Sequence, residues 1–140
     1  MKKTILLLLT FIFCISCERK TEFIQSNVYP SLFLLKDPPK DDSLIKKEII
    51  LFLIKNPSKI KKREYYIDFY KYTSNTKYFL ENEEYDGFGA QVLSMYNKDL
   101  IASFSLSHCK TDSTKWVGKL RLYNEWGDHF KPDTIIYKCN

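Results

Sequence analysis

Histidine and glycine are scarce in this chain: 2 histidines, His108 and His129, and 4 glycines among 140 residues. So little glycine leaves no G-x-x-x-x-G-K loop able to bring backbone N–H groups against a phosphate. There is no G-x-S-x-G turn to present a serine nucleophile. The histidines form no H-E-x-x-H, and the cysteines form no C-x-x-C. Asp86-Gly87-Phe88-Gly89 is the one stretch with paired glycines, and it reads as a turn. A long apolar run is also missing. Thr4 to Ile15 covers 12 residues, whereas a bilayer-spanning helix needs about 20. Neither sign of charge dominates: 22 basic residues face 17 acidic ones, a formal charge of +5. That balance does not indicate a nucleic-acid partner.

What is present begins at the N-terminus. Lys2 and Lys3 make a positive start, the apolar stretch Thr4 to Ile15 has the length of a signal-peptide core, and the small residue Ser16 precedes Cys17. The run Cys14-Ile15-Ser16-Cys17 resembles the lipobox of bacterial lipoproteins. It departs from that pattern at Cys14, where the family prefers leucine. The resemblance covers residues 1–17. It implies that residues 1–16 are a removed signal peptide and that Cys17 becomes the new N-terminus, diacylated on sulfur and usually acylated on nitrogen. The chain would then be held on a membrane in the cell envelope, facing the periplasm or the cell exterior. An ordinary secretory signal cut after Ser16 is the other reading. Either way Lys2 and Lys3 leave, and the formal charge of the remaining 124 residues falls to +3.

Cysteine usage fits export. With Cys14 discarded and Cys17 lipidated, Cys109 and Cys139 remain as a pair in an oxidising compartment. A disulfide between them would close a loop of 31 residues, worth roughly 3.5 kcal/mol on the chain-entropy argument. Two buried thiols are the alternative.

Residues 17–26 are expected to be the lipidated cysteine and a polar tether, and residues 27–140 one globular domain. Val28 to Leu35 is too apolar for a free linker and is expected to dock on that domain. Asp41, Asp42 and Ser43 are good helix N-cap residues, and Asn56-Pro57 stops the helix. Leu44, Ile45, Leu51 and Phe52 are placed on its core stripe, widened by Ile49 and Ile50. Beyond it the apolar period falls to two. Strands are expected at Tyr65–Tyr72, Lys77–Leu80, Gln91–Tyr96, Leu100–Ser107, Trp116–Tyr123 and Thr134–Cys139. Leu100, Ala102, Phe104 and Leu106 alternate inward against Ser103, Ser105 and Ser107. The fold class is therefore α+β: one N-terminal helix packed on a mainly antiparallel meander of about six strands. In outline this resembles the cystatin-like layout.

Several polar groupings invite a chemical reading. His108 and Cys109 are adjacent, but neighbouring side chains on a strand point to opposite faces, which separates nucleophile from base. Glu81, Glu83, Glu84 and Asp86 could offer oxygen ligands, without the spacing of a calcium loop. Asp128 and His129 could form an acid–imidazole dyad, though a polar turn accounts for them. Lys59, Lys61, Lys62 and Arg63 could be drawn to an anionic lipid surface; a solvated loop is the plainer account. No catalytic residue, metal ligand or cofactor site is assigned.

The surface singled out is a face of the sheet. Ile67 and Phe69 make one side of Tyr65–Tyr72 the apolar one, leaving Tyr66, Asp68, Tyr70 and Tyr72 on the other. Arg121 and Tyr123 should share that face. Tyrosine and arginine are enriched at binding hot spots. The competing expectation is that Val28 to Leu35 folds over the face and makes it a second core layer. The leading functional reading is a non-catalytic protein-binding or inhibitor module, a role resembling that of periplasmic immunity proteins. A structural or assembly subunit of an envelope complex is the alternative, and an enzyme the third.

Overall fold

A computed structural model of the protein describes residues 20–27, 29–57, 66–77, 97–123 and 133–138. Among them one helix, α1 (Asp42–Lys55), and six strands form an α+β arrangement. The strands are β1 (Glu22–Gln25), β2 (Leu32–Lys36), β3 (Tyr66–Lys71), β4 (Leu100–His108), β5 (Trp116–Leu122) and β6 (Thr134–Tyr137). They lie in one sheet in the order of the chain. All neighbours pair antiparallel except β2 and β3, which run parallel. A parallel pair needs a crossover between its strands, and α1 lies in that connection.

Three sequence expectations are corrected here. The helix is not the first element, because β1 and β2 precede it. The sheet is mixed and not a pure meander, because β2 joins β3 in parallel. Residues 22–25 belong to the edge strand β1 instead of a tether. Of the segment expected to dock, Val28 lies outside the described residues and Leu32 to Leu35 are all buried in the interior strand β2. A strand buried on both faces reads as a continuous apolar run and not as an alternation, so its period gave no strand signal. The expected strands at Lys77–Leu80 and Gln91–Tyr96 lie almost wholly outside the described residues; Lys77 itself is in a turn.

The helix boundaries follow the capping chemistry. Asp41 is the N-cap, its Oδ1 accepting from the backbone N–H of Ser43 at 2.9 Å and of Leu44 at 3.0 Å. Asn56 closes the other end, its Nδ2 donating to the Phe52 carbonyl at 2.8 Å. The buried stripe differs from the expected one. Ile49 and Leu53 are fully buried, with Ile45, Ile50 and Phe52 packed beside them. Leu44 and Leu51 are on the exposed side. Positions 45, 49, 52 and 53 recur at i, i+4, i+7 and i+8, the spacing of one helical face, and this is the face the sheet covers.

Phenylalanine fixes the helix to the sheet. Phe52 stacks on Phe23 of β1 at 4.3 Å between ring centroids and meets Phe33 of β2 edge-on at 5.0 Å. Phe69 of β3 lies 6.0 Å from both Phe33 and Phe52. The core continues through Ala102, Phe104, Leu120 and Leu122 on β4 and β5. The inward alternation of β4 is interrupted at its start. A register irregularity between Phe69 and Tyr70 pairs Phe69 with Ala102 but Tyr70 with Leu100. The extra residue turns Leu100 to the face away from the helix, where it packs with Tyr70.

Gly118 is demanded by close approach. A Cβ there would sit 2.6 Å from Tyr137 Cδ2 and 2.9 Å from Phe104 Cε2 and Cζ. Both rings are held in the core layer and cannot swing aside freely. Gly118→Ala is expected to destabilise the domain by about 1–3 kcal/mol through overpacking. A urea midpoint lowered accordingly checks this; an unchanged midpoint would show that the rings relax.

Candidate functional site

The face of the sheet opposite α1 divides in two. Toward β1 it is apolar: Leu32, Leu34 and Tyr70 are buried, with Ile24, Tyr29, Tyr72 and Leu100 packed around them. The parallel register sets Leu32 beside Asp68 and Leu34 beside Tyr70, so β2 brings its leucines to the tyrosine face. Tyr70, expected on an open surface, is 3 % exposed. Burial pushes its phenol well above the ordinary value, with the nearby Asp68 charge adding to the shift. Tyr72 is half-buried. This half of the face is a second core layer, but β2 enters it as a strand beside β3 in the sheet and does not fold over the face as the competing expectation had it.

Toward β5 the same face is polar and open. Asp68 of β3 pairs with Ser103 of β4, which pairs with Arg121 of β5, so three side chains stand in one row across three strands. The next row holds Tyr66, Ser105 and Lys119. Tyr66 is 53 % exposed; Arg121 is exposed and Tyr123 half-buried. The shared face expected for β3, Arg121 and Tyr123 is thus present, but it narrows to Tyr66, Asp68, Arg121 and Tyr123.

Its electrostatics are set locally. Ser103, itself buried, donates its hydroxyl to Asp68 Oδ1 at 2.5 Å. Burial raises the Asp68 carboxyl above its usual 3.8, and the Ser103 hydrogen bond partly offsets this. The Asp68 charge is also the main reason the Tyr66 phenol is raised, helped by burial. Arg121 is held in a two-point grip by Asp133, Nε to Oδ1 at 3.1 Å and Nη2 to Oδ2 at 3.2 Å, which pushes its pKa further up. The patch therefore sets the Tyr66 phenol, its proton held more tightly than usual, and a fixed guanidinium beside a half-buried carboxyl group. Ser103 and Arg121 direct their donors to Asp68 and Asp133 within the patch, so what it presents outward is chiefly ring area with a polar tip. Sequence reading had placed Ser103 outward without a role and had not singled out Asp133. Register supplies the first, since Ser103 lies between Asp68 and Arg121; the second becomes visible only when β6 pairs with β5.

The raised Asp68 carboxyl gives a pH dependence of defined sign. The folded state holds this proton more tightly than the unfolded chain, so the contribution is full at low pH and is lost as pH rises from 3.8 through the higher folded value. Asp68→Asn removes that loss. Wild type is expected to fall in stability relative to Asp68→Asn between about pH 3.5 and neutrality, measured as urea midpoints at both pH values. A constant difference would contradict the assignment.

The other residues fall as follows. Cys109 is buried and disulfide-bonded, so its sulfur is not a nucleophile. His108 lies against Trp116 across the strand pair, ring centroids 3.8 Å apart. Cys17, Cys139, His129, the acidic residues 81–86 and the basic residues 59–63 lie outside the described residues. Among the described residues no group of three His, Cys, Asp or Glu side chains could hold a metal, and no helix is long and apolar enough to cross a membrane. Comparison with protein-family models, curated proteins and solved structures finds no match.

Proposed function

We propose that this protein is a lipid-anchored envelope module that binds another protein through the polar half of its open sheet face and performs no catalysis. The observation that carries the binding reading is the row Asp68–Ser103–Arg121 beside Tyr66 and Tyr123. It sets an exposed tyrosine and a pre-oriented arginine on a rigid sheet, where ordering costs little on association. The lipobox-like start supports the anchor, and a disulfide between Cys109 and Cys139 is part of the proposal.

Affinity recovery from detergent-solubilised envelope tests the reading. A stoichiometric soluble partner supports an inhibitor-type module; a stable membrane complex would instead favour an assembly subunit. Tyr66→Ala is expected to weaken recovery of the partner by about 1–3 kcal/mol, roughly 5- to 150-fold, with unchanged thermal stability. Recovery unaffected by both Tyr66→Ala and Arg121→Ala would remove the face from the account.

A further inference from the structure

The helix α1 is apolar on two sides, and the sheet covers one. Leu44, Leu51 and Ile54, at i, i+7 and i+10, form a stripe on the outer side. They are 49 %, 37 % and 55 % exposed. Lys47 falls within this stripe and Lys55 beside it, and both are exposed. Leucine and isoleucine between lysines is the composition of a helix that rests in a lipid headgroup layer.

The position of the chain's anchored end says which surface is near. Phe52 of the helix stacks on Phe23 of β1, and Phe23 is six residues from Cys17. Phe23 and Glu22 are fixed in β1, so the free chain runs from Glu22 to Cys17, at most about 18 Å when fully extended. The anchor therefore keeps β1 and the helix stacked on it close to the lipid.

We infer that the Leu44–Leu51–Ile54 side of α1 docks on an anionic membrane surface, laying the domain down on the bilayer. This rests on the proposed acylation of Cys17. Docking by α1 turns the opposite face of the sheet, with Tyr66 and Arg121, away from the membrane and toward a partner.

The test is thiol accessibility in the full chain purified from membranes. Ile54→Cys and Leu51→Cys are compared with Lys119→Cys, an exposed position on the opposite sheet face. Each is reconstituted in vesicles containing phosphatidylglycerol and treated with a water-soluble maleimide. Modification at 51 and 54 is expected to slow roughly tenfold relative to detergent micelles, with position 119 little changed, and to recover in phosphatidylcholine alone. Equal rates at 54 and 119 in a chain that carries fatty acid would overturn the docking and leave the anchor standing. Protection in native membranes but not in pure lipid would overturn it in favour of a protein cover. Absence of fatty acid on the chain, read separately, would overturn the anchor and the docking together.

Discussion

Phe69→Ala is expected to lower the stability of the domain by about 3–5 kcal/mol, a large part of the 5–15 kcal/mol typical of a domain. The reason is position as much as size. Phe69 is fully buried on β3 and lies 6.2 Å from Phe23, 6.0 Å from Phe33 and 6.0 Å from Phe52 between ring centroids. Those three rings come from β1, β2 and α1, so one truncation opens a cavity where three other elements meet. The surrounding rings are too large to collapse into the space without losing their own contacts. Leu51→Ala is the internal comparison. It also truncates an apolar side chain to alanine, but on the outer side of the helix, and is expected to change stability by no more than about 0.5 kcal/mol. Urea unfolding of both variants measures the contrast. Similar losses at 51 and 69 would mean that the helix presents a different face to the sheet.

That comparison marks where the sequence was and was not a sufficient guide. The caps of α1 were legible because Asp41 and Asn56 act through their own side chains on nearby backbone. The strands β4 and β5 were legible because one wet face enforces alternation. The rotation of α1 was not, since apolar residues occur on both its sides and the period alone cannot choose between Leu44–Leu51 and Ile45–Ile49–Leu53. The strand β2 was hidden by its double burial, and β1 by its short length, with only Phe23 and Ile24 between polar ends.

The candidate site was half legible for the same reason. Alternation correctly put Tyr66, Asp68 and Tyr70 on one face of β3, and counting along β5 added Arg121 and Tyr123. Which of them stay open depends on the neighbour of β3 on its other side. The parallel arrival of β2 sets Leu34 beside Tyr70 in a buried cluster, while Tyr66, beyond the paired residues of β2, is exposed. Tyr70 therefore serves the fold, and its truncation would report on stability more than on binding.

Replacement of Cys17 carries the other large effect. In the lipoprotein pathway that residues 1–17 resemble, the cysteine sulfur is the acyl acceptor, and serine offers no thiol. Because β1 begins at Glu22, only four residues separate the sheet from Cys17, at most about 18 Å of extended chain. Loss of the lipid would thus release the whole domain from the place where the helix and the partner face are proposed to act. Metabolic labelling of cells with a fatty-acid analogue, comparing wild type with Cys17→Ser, tests this directly. The account predicts label on the wild-type chain and none on Cys17→Ser; label retained after the substitution, or absent from the wild type, would contradict it.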